Sequence, residues 1–191
     1  MLRRLLPGVF ALTLPAQASE IALSYAAVER GIWETLLTDQ GRHYFEGGPR
    51  DDCRYAFVQD PKVRAEGERV TVSFVFSGRA GTTIAGRCVG PGETLDIVVS
   101  GVPTYANGVL RLADVRVSAP GSGYFRLVAP LVQAGFERGL AYPLRTDVER
   151  ALAAASAGSQ WQVRLAVFDV RGVRVEPGRL VITYETMVGV E

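Results

Sequence analysis

The sequence predicts a single β-rich α+β domain, and three observations carry that expectation. Val70, Val72, Phe74 and Phe76 alternate with Thr71, Ser73 and Val75, the period of two that gives a strand one favoured apolar face. Asn107-Gly108 and Glu176-Pro177-Gly178 supply turn chemistry between apolar runs. Val128, Val132, Phe136 and Leu140 repeat every four residues, with Leu127 and Leu131 alongside, and predict an amphipathic helix with a broad stripe.

The order of elements follows from the same signals. Ile21 to Leu23 read as a short opening strand. Ser24 can then cap a helix through about Thr38, in which Val28, Ile32 and Leu36 recur and Trp33 is expected to pack. Gly31 weakens that helix by up to about 1 kcal/mol relative to alanine. Residues 41–118 read mostly as strands, with Glu66-Gly67-Glu68 as a turn. One strand holds Leu95, Ile97 and Val99, and the next runs from about Val109 to Ser118. Within the latter the apolar parity moves from Leu110 and Leu112 to Val115 and Val117. That shift predicts a bulge or bend near Ala113-Asp114. A helix follows from Ser122 or Gly123, with Pro130 tolerable only near its start or at a kink, and Pro143 ends the segment. Thr146 to Glu149 fit a capping box for a further helix through about Ser156, stopped by Gly158. From Trp161 to Val170 the chain is apolar on both parities, which predicts a strand buried on both sides or one facing core and ligand. Leu180, Ile182 and Tyr184 then run back.

The N-terminus reads as an export signal. Arg3 and Arg4 precede a short apolar run from Leu5 to Leu14, and Ala16-Gln17-Ala18 gives the small-x-small pattern with cleavage after Ala18. The run of about ten residues is too short to span a bilayer, which needs roughly 20. No cysteine stands at the cleavage site, so the expected product is periplasmic, not lipid-anchored, and free of transmembrane segments. Residues 19–191, about 173 in all, suit one domain. Loss of the two arginines turns the formal charge from +1 to −1, a balance that offers nucleic acid no attractive field. Cys53 and Cys88 stand 35 positions apart. A pair of cysteines in an exported chain reads as a disulfide, with two free buried thiols as the alternative.

The residues give no sign of catalysis. His43 is the only histidine and reads as a strand residue in a wet position. No serine has a nucleophile-elbow context, and Gly121-Ser122-Gly123 and Gly90-Pro91-Gly92 are turns without a phosphate-loop pattern. Asp51-Asp52 are adjacent, not set across a cleft. No cofactor or metal is expected.

Three stretches carry a family likeness: Ile21 to Ser24 leading into the Val28, Ile32 and Leu36 helix; Val102-Pro103 followed by Gly108 to Val115; and Arg171 to Ile182. In these the chain resembles the YceB-like bacterial envelope lipoproteins, placed in the tubular lipid-binding (TULIP, BPI-like) superfamily. The resemblance implies a strongly curved antiparallel sheet wrapped around a long, kinked C-terminal helix, with a short N-terminal helix and room for acyl chains between. It departs from those relatives in lacking their lipidated cysteine. The implied function is non-enzymatic binding of a lipid or other apolar ligand. The alternative is an envelope interaction or scaffold protein with a filled core and another envelope protein as partner. Phe74, Phe76, Ile97, Val132, Phe136, Leu165 and Val167 are the expected ligand lining.

Overall fold

The computed structural model describes residues 19–158, 160 and 163–190; the leader and its Ala18 cleavage position lie outside them, as does Trp161. The main sheet has six antiparallel strands in the order β2-β3-β4-β7-β8-β9, and it curls into half a barrel. Its strands are β2 (His43–Glu46), β3 (Arg54–Glu66), β4 (Arg69–Ala80), β7 (Gly92–Ala106), β8 (Val109–Ser118) and β9 (Ala141–Tyr142). A second antiparallel sheet has the order β1-β11-β10, from β1 (Ser19–Ser24), β10 (Val163–Glu176) and β11 (Arg179–Val190). The hairpin of β5 (Thr82–Ile84) and β6 (Arg87–Val89) projects between β4 and β7. Helices α1 (Tyr25–Thr35), α2 (Gly123–Gly139) and α3 (Leu144–Ala155) complete the α+β fold. No described helix is long and apolar enough to cross a membrane.

The caps and turns form where local chemistry places them. The Ser24 hydroxyl accepts from the Ala27 amide at 3.2 Å and starts α1. Asn107 and Gly108 both take positive φ, 52° and 84°, and close the β7–β8 hairpin. The bulge in β8 falls at Asp114, whose φ is 48°: Ser100 pairs with Arg116, then Val102 with Ala113. Arg69 of β4 holds that kink, bonding the Asp114 carboxylate at 2.7 Å and the Asp114 carbonyl at 2.6 Å.

One strand departs from expectation for a clear reason. β10 is not buried on both faces. Its register with β11 slips between Leu165 and Val167 and again between Val170 and Gly172. Each extra residue flips the pleat, so Leu165, then Phe168 and Val170, then Val173 and Val175 all reach the same core. The two apolar parities therefore belong to one face.

The helical region also differs from a single long helix. α2 has 17 residues, and its buried stripe is Phe125, Val132 and Phe136, flanked by Val128, Ala129 and Leu140. Leu127 and Leu131 lie about a quarter-turn away and are 79% and 39% exposed. Pro130 sits inside α2 on the exposed side, where solvent can satisfy the carbonyl it leaves without a donor. The chain then pairs Tyr142 and Ala141 with Leu110 and Arg111, which ends α2 and separates it from α3. α3 begins at Leu144, with Thr146 inside it and no side-chain cap at Pro143. The Gly108 carbonyl takes the Arg145 amide at 3.0 Å, and Leu144 is 3% exposed. A tertiary hydrogen bond and a buried leucine thus fix the start in place of the capping box.

The core lies between α2 and the concave face of the main sheet. Phe136 meets Phe74 at 5.0 Å and Phe45 at 5.3 Å between ring centroids, and Phe125 meets Phe76 at 5.5 Å. Gly135 makes that approach possible, because a Cβ there would stand 2.5 Å from the Phe45 ring. Phe168, between Tyr105 at 6.1 Å and Tyr184 at 5.2 Å, joins the second sheet to β7. Cys53 and Cys88 are bonded, with Cα atoms 5.3 Å apart, and fasten the β5–β6 hairpin to the start of β3. Truncating Phe136 to alanine is expected to cost about 3–5 kcal/mol by the cavity it leaves, measured by urea unfolding. Replacing both cysteines by alanine is expected to cost up to about 4 kcal/mol in the chain-entropy account of a loop this long. Equal unfolding midpoints for the two forms would show that the bond does not constrain the unfolded chain.

Candidate functional site

An apolar pocket lies under α1. Phe74, Phe76, Ile97, Val132 and Phe136 are each at most 1% exposed and pack on one another in the filled core. Leu165 and Val167 belong to the second sheet; Leu165 packs on the core edge, and Val167, on the opposite parity from Phe168, stays outside the core cluster. None of the seven expected residues lines the pocket beneath α1 or the cleft beside Tyr25. Aromatic rings pack on one another across the concave face beneath α2.

The pocket beneath α1 has a volume of about 100 Å3. Its floor is Val70 and Val72 of β4, its far wall Leu110 and Leu112 of β8, and its roof Ala27, Val28, Gly31 and Ile32 of α1. Leu23 and Leu180 close it on the side of the second sheet, while Gly139 to Tyr142 close the other. Small residues create the space: Ala27 and Gly31 on the helix face, Gly139 and Ala141 opposite. Gly31 also lets the Tyr142 ring approach, since a Cβ there would lie 3.3 Å from it. Sequence patterning placed Val28 and Ile32 correctly on the inward face of α1. The gap between small side chains of distant segments has no counterpart in periodicity.

Only Thr35, Arg111 and Tyr142 among the lining residues carry polar side chains. The Thr35 hydroxyl donates to the Gly31 carbonyl at 2.7 Å and is already satisfied. Arg111 alternates with the inward-packing Leu110 and Leu112, which puts its side chain on the outer face of β8. The Tyr142 phenol is pushed up to about 12, first by burial and then by its hydrogen bond to the Asp147 carboxylate, so it stays neutral. The pocket's walls therefore offer apolar contact and shape, with little polar chemistry. A wider, open cleft of about 480 Å3 lies beside Tyr25 at the tips of the β3–β4 and β10–β11 hairpins, lined by Val63, Ala65, Val175 and Gly178 among others.

α1 is tied down at both ends. The Tyr25 hydroxyl donates to the Glu176 carbonyl at 2.7 Å, and the Val63 amide donates to the Glu29 carboxylate at 2.7 Å. At its other end Leu36 and Leu37 are buried, whereas Trp33 lies against Gly41 and remains 41% exposed. His43 of β2 sits below that end, edge-on to Phe45 at 5.0 Å. Among the described residues, no group of three or more His, Cys, Asp or Glu side chains is placed to hold a metal.

No protein-family model matches this chain, and no curated protein does. Fold and site together define an α+β domain whose curled antiparallel sheet meets a short helix over an apolar pocket.

Burial lowers the His43 pKa below its usual 6.5, against the opposing pull of the Leu36 carbonyl and Asp39. A histidine held neutral in the fold contributes stability above the unfolded pKa, and that contribution is lost as pH falls through the folded one. Urea midpoints are therefore expected to fall on acidification below pH 6.5, and His43→Gln should reduce that fall. Equal pH slopes for the two proteins would remove His43 as the source.

Proposed function

We propose that the chain is an exported, non-enzymatic protein of the bacterial periplasm that binds an apolar ligand, or the apolar end of a lipid, between α1 and the curled sheet. The observation that carries this reading is the pocket beneath α1, walled almost wholly by aliphatic side chains. Its volume of about 100 Å3 falls below the roughly 300–1,000 Å3 of sites that enclose a drug-sized molecule. A whole phospholipid does not fit inside it; the end of one hydrocarbon chain does. The YceB-like and tubular lipid-binding resemblance supports the class of ligand and not the place, since it implies acyl-chain space beside a long C-terminal helix, whereas this pocket lies beneath the short α1. The expected leader and the Cys53–Cys88 bond agree with an oxidising compartment.

A second reading draws on a specific observation of its own. The core beneath α2 is filled, and Leu127 and Leu131 stand exposed on the outer side of that helix. An envelope interaction protein would use such a surface and carry no small ligand.

Native mass spectrometry of protein recovered from the periplasm, followed by solvent extraction, separates the two. A reproducible adduct that extracts as lipid is the expected result. A bare polypeptide, unchanged after incubation with phospholipid vesicles, would move the assignment to the interaction protein. The same spectrum reads the expected start at Ser19.

A further inference from the structure

The pocket beneath α1 and the open cleft beside Tyr25 are neighbours across single strand pairs. Val70 and Val72 floor the pocket, and their register partners on β3, Ala65 and Val63, line the cleft. In the second sheet Leu180 lines the pocket and its partner Val175 lines the cleft. Paired residues on adjacent strands stand only about 4.5–5.5 Å apart, so both cavities share one continuous apolar floor along the seam between the two sheets. What divides them is α1. Its two buried side chains are Tyr25, which faces the cleft, and Ile32, which faces the pocket.

We infer that the pocket and the cleft are the two ends of one groove, covered in the middle by α1, and that the groove takes a single long aliphatic chain. This rests on the reading that the α1 pocket binds an apolar ligand. Valine, alanine and leucine side chains floor the seam where the strands pair, Arg64 and Glu176 stand at the open cleft, and the Val63 amide is taken by the Glu29 carboxylate. The occupant therefore carries no polar group along its middle. Three hydrogen bonds tie the first half of α1 to the sheets: from the Tyr25 hydroxyl to the Glu176 carbonyl, from the Tyr25 amide to the Gly178 carbonyl at 3.0 Å, and from the Val63 amide to the Glu29 carboxylate. Its centre holds Gly31, a residue that weakens a helix. Lifting the first turns of α1 joins the two spaces into one of several hundred cubic ångströms, the size of an ordinary ligand site.

Calorimetric titration of the full chain with octanoate, dodecanoate and hexadecanoate tests this. One groove predicts a single site and affinity rising roughly fourfold per added methylene through the longest acid. Ala27→Phe blocks the pocket and Ala65→Phe blocks the cleft; each is expected to weaken hexadecanoate by about tenfold or more, the equivalent of roughly two unburied methylenes. Glu29→Ala, which frees α1 from β3, is expected to speed association. Affinity that stops rising at octanoate, with Ala65→Phe as tight as the unaltered chain, would overturn the single groove while leaving the pocket as a short-chain site. Failure of all three acids to bind would instead remove the pocket reading itself. If Ala65→Phe does not fold, the chain-length series on the unaltered protein decides alone.

Discussion

The fold depends on Phe136 wedged between Phe74 and Phe45, with ring centroids 5.0 and 5.3 Å away. Packing the buried Phe74 and Phe136 rings against the partly buried Phe45 removes much apolar surface from water, and aromatic pairs at these separations add to that gain. The wedge requires α2 to lie close upon the concave face, which Gly135 permits. Phe74, Phe76 and Ile97 beneath α2, and Val132 and Phe136 on it, are each at most 1% exposed.

Curling the sheet around that wedge leaves two problems, register and edges, and bulges serve both. Slips in β10 at Ala166 and Arg171 return its apolar residues to one face, while the bulge at Asp114 turns β8 under the clamp of Arg69. β3 runs past β2 with a free edge, a hazard for strand-to-strand association. There the chain breaks its ladder at Asp60 and Pro61, and Glu29 of α1 occupies the Val63 amide. α1 is thus both a cover for a strand edge and a roof for a pocket. The same carboxylate links the two roles.

The pocket lies at the seam between the sheets, where small side chains face one another and the Tyr142 ring closes only one side. Its walls are aliphatic, its hydroxyl groups are satisfied or held neutral, and Arg111 points away from it. Under the proposed function, such a site would discriminate by chain shape and length, because apolar burial is proportional to area and carries no direction. Charge plays no part in such recognition, in keeping with a nearly neutral chain.

Much of this was legible without coordinates. Alternation in residues 70–76, the Asn107-Gly108 turn, the Ser24 cap, the parity change at Asp114 and the inward faces of α1 and α2 are local signals, and local physics sets them. Other features depend on contacts between residues far apart. α3 begins at Leu144 because the Gly108 carbonyl and the core receive it there, overriding a sound capping box at Thr146. The double parity of β10 reads in isolation as burial on two faces; pairing with β11 shows one face and two bulges. Leu127 and Leu131 belong to a helical stripe by spacing, yet only the half of it that meets Phe74 and Phe76 is buried. The sequence by itself determined which residues are apolar and with what period, and hence the α+β class and most of its elements. Whether those residues close on one another or leave room was decided only by tertiary packing, since a cavity is a property of the distance between segments and no single segment encodes it.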